Sequence, residues 1–187
     1  EFVVTWGSND PATGDNNSYG VAGQRFDANG NKLGSEFLVN TNIQSTQDYP
    51  DVVTLNNGNF VVTWLSFDST ETGIAIQLFD SSANKIGNEI VINNTAGVIP
   101  EITATSNGGF VVSWEATNHI TNVNDSSGYG VVAQRFDANA NTVGDKFQVN
   151  TYTNSHQYEP AVTELSDGSL AFAWRTDDAG LGDDSSS

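Results

Sequence analysis

Apolar and polar letters alternate with a period of two along most of this chain. In "FVVTW" (60–64) the alternation puts Phe60, Val62 and Trp64 on one face and Val61 and Thr63 on the other. That is the geometry of a β-strand, whose successive side chains point to opposite faces of a sheet. Val, Ile, Thr, Phe and Trp fill these runs, as strands prefer. No stripe of helical period reaches useful length. Four such runs follow one another in the middle of the chain: "DVVTL" (51–55), "FVVTW" (60–64), "GIAIQLF" (73–79) and "NEIVIN" (88–93).

The same wording returns. "FVVTW" also ends at Trp6, "FVVSW" ends at Trp114 and "LAFAW" at Trp174, so the Trp residues recur at intervals of about 50–60 residues. The runs before and within these segments are joined by "NNGN", "SNGG" and "SDGS". Asn-Gly and Asp-Gly between alternating runs signal hairpins, through primed turns with positive φ. After each Trp strand but the last comes an acidic turn: "QRFDANGNKLGSEF" (24–37), "QLFDSSANKIGNEI" (77–90) and "QRFDANANTVGDKF" (134–147).

These signals predict an all-β fold of four-stranded antiparallel meanders, stacked as β-propeller-like blades in a partial propeller or an open array. A sheet this small cannot bury both faces alone, so it must stack on its neighbours. The expected division is a blade lacking its first strand (1–47), two full blades (48–97 and 98–156) and a partial blade of two strands (157–187). Starting at one Trp strand and stopping short of the next strand, the chain reads as a fragment of a longer array. The Trp residues are expected in the inter-blade core.

Composition narrows the partners. With 23 acidic residues against 6 basic, the net charge is −17. Nucleic acid and anionic membrane surfaces both need clustered Lys and Arg, so neither is an expected partner. Divalent cations fit such a surface better. Cysteine is absent, so no disulfide staples the fold. No apolar run is long enough to insert in a membrane as a helix.

The acidic turn admits two readings. As a calcium loop, Asp27, Asn29 and Asn31 alternate oxygen-bearing side chains, as do Asp80, Ser82 and Asn84, and Asp137, Asn139 and Asn141. As a hairpin, Asp accepts backbone N–H bonds and shapes the turn. Each loop offers one carboxylate and lacks a closing bidentate Glu, so the turn needs fewer assumptions. Because Gly30 gives way to Ala83 and Ala140, positive φ is not expected to be obligatory at that place. The long loops after the Trp strands carry Asp10 and Asp15 in one repeat and Asp177, Asp178, Asp183 and Asp184 in another. They are further candidates for calcium, since variable loops on a constant scaffold tend to carry binding. Tyr19 and Tyr129 are repeat-equivalent and are candidates to line a ligand face.

No nucleophile motif accompanies His119 or His156, and the Arg cluster a sialidase would need is missing, so no catalytic residue and no enzyme is expected. The repeats also carry a family likeness. The wording "GGFVVSW" (108–114) and "SSGYGVVAQRFDANANTVGDKFQVNT" (126–151) resembles the repeats of large secreted bacterial surface proteins of the RTX-like, hemolysin-type calcium-binding kind. The resemblance implies export, an extracellular or cell-surface location, a repetitive scaffold and a Ca2+ cofactor. The tandem glycine-rich calcium nonapeptide of RTX proteins is not present. The expected function is an extracellular structural or adhesive repeat module, with other copies of itself or neighbouring repeats of a longer chain as partners. The alternative is a carbohydrate-binding, lectin-like propeller, with glycans as partners.

Overall fold

A computed structural model describes residues 1–10, 18–43, 45–67, 72–93, 97–117, 128–153 and 155–177. Among these are thirteen strands in four antiparallel sheets, each ordered as the chain runs. The first sheet is β1 (Phe2–Ser8), β2 (Gly20–Phe26) and β3 (Lys32–Leu38). The second is β4 (Gln47–Thr54), β5 (Phe60–Phe67), β6 (Thr72–Phe79) and β7 (Lys85–Asn93). The third is β8 (Gly97–Ala104), β9 (Phe110–Thr117), β10 (Tyr129–Phe136) and β11 (Thr142–Gln148). The fourth is β12 (Gln157–Glu164) and β13 (Leu170–Thr176). The fold is all-β, and its four-stranded antiparallel meanders are blades of the β-propeller type. We number them blades 1 to 4.

The two faces of the Trp strand do different work. Phe60, Val62 and Trp64 of β5 pack with Val21 and Val39 of blade 1. Val61 and Leu65, on the opposite face, join Ile102, Phe110, Val112 and Trp114 of blade 3. In blades 2 and 3 the Phe-x-Val-x-Trp face thus looks to the preceding blade. Burial on both faces explains why apolar letters crowd this strand instead of strictly alternating. Trp64 and Trp114 are wholly buried, whereas Trp6 and Trp174 are half-buried. A second repeated contact joins the Phe that opens the Trp strand to the Phe of the acidic segment. Phe2 stacks on Phe26, Phe60 on Phe79 and Phe110 on Phe136, with centroids 5.1, 4.9 and 4.9 Å apart.

Strands β4, β8 and β12 are the inner strands, lying side by side from blade to blade, and in blade 1, which has no such strand, the Trp strand β1 lies against β4. β4, β8 and β12 reach further toward the N-terminus than "DVVTL" and its equivalents, because each runs through a bulge. The register shifts between Asp48 and Asp51, between Val98 and Glu101, and between Tyr158 and Ala161. At each bulge the residue beside proline or next to it is left-handed: Tyr49 (φ 53), Ile99 (φ 49) and Glu159 (φ 50). Proline is admitted to these strands because the bulge releases its position from the ladder.

Two turn expectations need correction. The hairpin "NNGN" is not a primed turn: Gly58 alone has positive φ, at 86, and Asn57 does not. Gly58 N–H donates to Leu55 O at 3.0 Å and Leu55 N–H to Asn59 O at 2.8 Å, a type I turn closed by a left-handed residue. In the acidic turn, Gly30 (φ 82), Ala83 (φ 66) and Ala140 (φ 62) are all left-handed. Positive φ is obligatory there after all, and two alanines bear it.

Candidate functional site

The acidic segment is a structural device of three parts, and it recurs in blades 1 to 3. Its Asp is the first part. Asp27 Oδ1 accepts the N–H of Asn29 and of Asn31, both at 2.8 Å, and Oδ2 accepts Asn31 Nδ2 at 2.8 Å. Asp80 makes the same three bonds with Ser82 and Asn84. Asp137 makes them with Asn139 and Asn141. Side-chain and backbone N–H bonds from Asn31, Asn84 and Asn141 hold the three carboxyls below the usual carboxylate range. Such groups stabilise the fold above about pH 4, and that contribution is lost as pH falls through their lowered values.

The left-handed residue is the second part. A Cβ on Gly30 would meet nothing within 4 Å, so only backbone strain is at stake. Gly30→Ala is expected to cost about 1 kcal/mol in urea unfolding. A loss of 3 kcal/mol or more would mean that the turn in blade 1 differs from those at Ala83 and Ala140.

The Gln that opens the segment is the third part, and sequence reading passed over it. Each of β2, β6 and β10 slips register against the next strand, leaving carbonyls off the ladder. Gln24 Nε2 donates to Arg25 O at 3.0 Å and Leu33 O at 3.3 Å. Gln77 Nε2 donates to Leu78 O at 3.0 Å and Ile86 O at 3.1 Å. Gln134 Nε2 donates to Arg135 O at 2.9 Å and Gly144 O at 3.1 Å. All three glutamines are buried. The signal was present as a polar letter fixed at an inward position in all three repeats.

The remaining candidates scatter. Asp10 is exposed, and its N–H donates to Ser8 Oγ at 3.1 Å. Asp15, His119, Asp178, Asp183 and Asp184 lie outside the described residues. Tyr19 is exposed. Tyr129 instead joins a cluster found at one junction: its ring lies 5.6 Å from His156 and 6.2 Å from Tyr158. His156 stacks on Tyr158 at 5.5 Å, and Arg175 lies over Tyr158 at 5.5 Å. Tyr158 OH donates to Asp177 Oδ2 at 2.9 Å. Among the described residues no group of three or more His, Asp or Glu side chains is gathered to hold a metal.

Carboxylates also tie blade to blade. Glu89 Oε2 accepts Thr41 N–H at 2.6 Å, Asp51 Oδ2 accepts Ile102 N–H at 2.9 Å, Glu115 Oε1 accepts Glu159 N–H at 2.7 Å, and Glu164 Oε2 accepts Ser106 N–H at 2.6 Å. Every junction therefore has its charged acceptor, a strong kind of hydrogen bond. Near the Glu164 tie, a cavity of about 450 Å³ opens between blades 3 and 4, lined in part by Asn107, Phe110, Arg135, Glu164 and Leu170.

No protein-family model matches the sequence, and no curated protein matches it. Among solved structures, the chain is similar to an endo-arabinase from Bacteroides thetaiotaomicron VPI-5482, at 15% identity and a TM-score of 0.55. The match covers 96% of this chain and 67% of that one. A thermostable family-43 glycoside hydrolase is similar at 11% identity and a TM-score of 0.46, over 86% of this chain and 62% of that one. At these identities the likeness is one of fold.

Proposed function

We propose that this chain is a non-enzymatic, extracellular structural or adhesive repeat module of a bacterial surface or secreted protein. One observation carries the reading: the Asp of the acidic segment makes the same three bonds in blades 1, 2 and 3. Chemistry repeated from blade to blade is the mark of a scaffold, whereas a catalytic site is usually singular. Calcium in this reading acts on the acidic surface as a whole, relieving the repulsion among charges that sum to −17. Its partners are further copies or neighbouring repeats.

A thermal melt with millimolar calcium, against sodium at matched ionic strength and against EDTA, tests this. A rise of a few degrees that grows smoothly with calcium and is matched by magnesium is expected. A sharp, saturable rise specific to calcium would point to a dedicated site. Adhesion to bacterial or abiotic surfaces by the folded chain, lost on unfolding, tests the adhesive half.

A second reading, a carbohydrate-binding propeller, is favoured by the aromatic cluster of Tyr129, His156 and Tyr158 with Arg175 beside it. Aromatic rings flanked by fixed polar groups suit sugar recognition. Arabinan is the first glycan to try, since the enzyme of like fold is an endo-arabinase. A glycan array without hits, on folded protein, would remove this reading.

A further inference from the structure

The cavity of about 450 Å³ between blades 3 and 4 lies among the hairpin turns, at the opposite end of β10 from Tyr129. Blades 1 and 2 hold its counterpart, of about 50 Å³, lined by Arg25, Thr54 and Phe60 where this one has Arg135, Glu164 and Leu170. Ser81, from the acidic turn of blade 2, adds to the wall there, and the described part of blade 4 has no such turn.

The two arginines are placed differently. Arg25 Nη2 pairs with Glu1 at 3.3 Å. The position equivalent to Glu1 in blade 3 is Gly109. A Cβ there would run into Phe136 O, so no acidic side chain can stand in its place. Arg135 accordingly has no carboxylate and no hydrogen-bond partner among the described residues. Its guanidinium lies over the Phe147 ring, 5.1 Å from the centroid. A guanidinium packed by its face keeps its N–H edge for a ligand.

The rest of the wall sorts into engaged and unengaged groups. Asn107 Oδ1 accepts Gly109 N–H at 3.1 Å and the Thr105 hydroxyl at 2.7 Å, while its Nδ2 donates to nothing among the described residues. Glu164 Oε2 accepts Ser106 N–H at 2.6 Å, and Oε1 accepts only Ser106 Oγ, at 3.2 Å, which leaves Oε1 able to accept again. Asp137 is committed to its own turn. Val143, 52% exposed, and the half-buried Leu170 supply apolar surface.

We propose that this cavity binds one uronic acid residue of an acidic glycan. Arg135 takes the carboxylate with its N–H edge. The sugar ring lies against Val143 and Leu170. Asn107 Nδ2 donates to one hydroxyl, and Glu164 Oε1 accepts from another. The volume falls within the roughly 300–1,000 Å³ usual for small-molecule pockets. A single negative charge is the limit. A phosphate dianion would set its second charge against Glu164 and Asp137, and the described lining has no second cation. A neutral sugar would leave Arg135 unmatched. The site rests on the carbohydrate-binding reading, but it is separate from the aromatic cluster.

The test is NMR titration of the whole folded chain with oligomers of galacturonate, glucuronate and mannuronate, each beside its methyl ester. EDTA is present throughout, since calcium by itself bridges acidic partners. At least one free acid is expected to shift the Arg135 guanidinium and Asn107 amide signals, and its ester to bind roughly tenfold more weakly or worse. Arg135→Gln should weaken that acid by the same factor, and Arg135→Lys by less. Lys32→Gln, which removes an exposed positive charge from blade 1, should leave it unchanged. Equal binding of acid and ester, or unchanged affinity in Arg135→Gln, would overturn the site. Shifts confined to Tyr129 and His156 would overturn it and sustain the carbohydrate-binding reading. No shift anywhere, with these acids or with arabinan, would remove both.

Discussion

Replacing Gln77 by Leu is expected to destabilise the chain by about 2–4 kcal/mol, although the new side chain is apolar, close in size and placed in an apolar interior. The reason lies in what the amide serves. Gln77 is 1% exposed, inside the blade that has neighbours on both faces. Its Nε2 supplies the donor for Leu78 O and Ile86 O, which the register slip between β6 and β7 takes off the ladder. Leucine strands both carbonyls in a place closed to water, and each buried unpaired carbonyl costs about 1–3 kcal/mol. Part of the loss is recovered, because among the described residues Gln77 Oε1 has no donor of its own and leucine removes that oxygen too. Urea unfolding gives the size, and amide exchange along β6 and β7 gives the place. A cost below about 0.5 kcal/mol would mean that water already reaches the bulge and that the glutamine is replaceable.

That residue also shows where sequence reading stopped. Hydrophobic period and repeat spacing revealed the strands, their order and their four-strand grouping, because a two-sided apolar strand such as Phe60–Phe67 can be placed only between two other sheets. The acidic turn was legible as a turn, since Asp27 and Asn31 need only each other. The left-handed state of Ala83 and Ala140 was not legible: alanine ordinarily avoids it, and the bonds Asp80 and Asp137 make around the turn hold it there. Gln77 was invisible for a different reason. Its partners are carbonyls exposed by a bulge, and a bulge leaves little trace in alternation. Asp51 and Ile102 lie a blade apart in sequence and meet only because inner strands lie side by side. The Tyr129, His156 and Tyr158 group likewise forms across a junction. Contacts within a hairpin could be read from the letters, and contacts between blades required the stacking.

The two core tryptophans, identical in the alignment, are expected to respond differently to the same mutation. Trp64 and Trp114 occupy equivalent buried positions, and truncation of either to Ala should cost about 3–5 kcal/mol. Phenylalanine separates them. Trp64 Nε1 donates to Gln47 Oε1 at 3.3 Å. Blade 3 has Gly97 where blade 2 has Gln47, as the pairing of Gly97 with Ala116 and of Gln47 with Ser66 shows. Accordingly, Trp114 Nε1 is buried with no partner among the described residues. Trp64→Phe loses ring volume and a buried hydrogen bond together. Trp114→Phe loses the same volume but also removes a donor held away from water, a change that is favourable by itself. Trp64→Phe should therefore be the more damaging by about 1–2 kcal/mol, measured by urea unfolding of both variants under one set of conditions. Equal costs would show that the Trp114 indole finds an acceptor, and that packing alone sets the value of the ring. Unequal costs in the expected order would show that the repeat preserves the shape of its core more strictly than its polar satisfaction, with blade 3 carrying an orphaned N–H as the consequence of a single glycine.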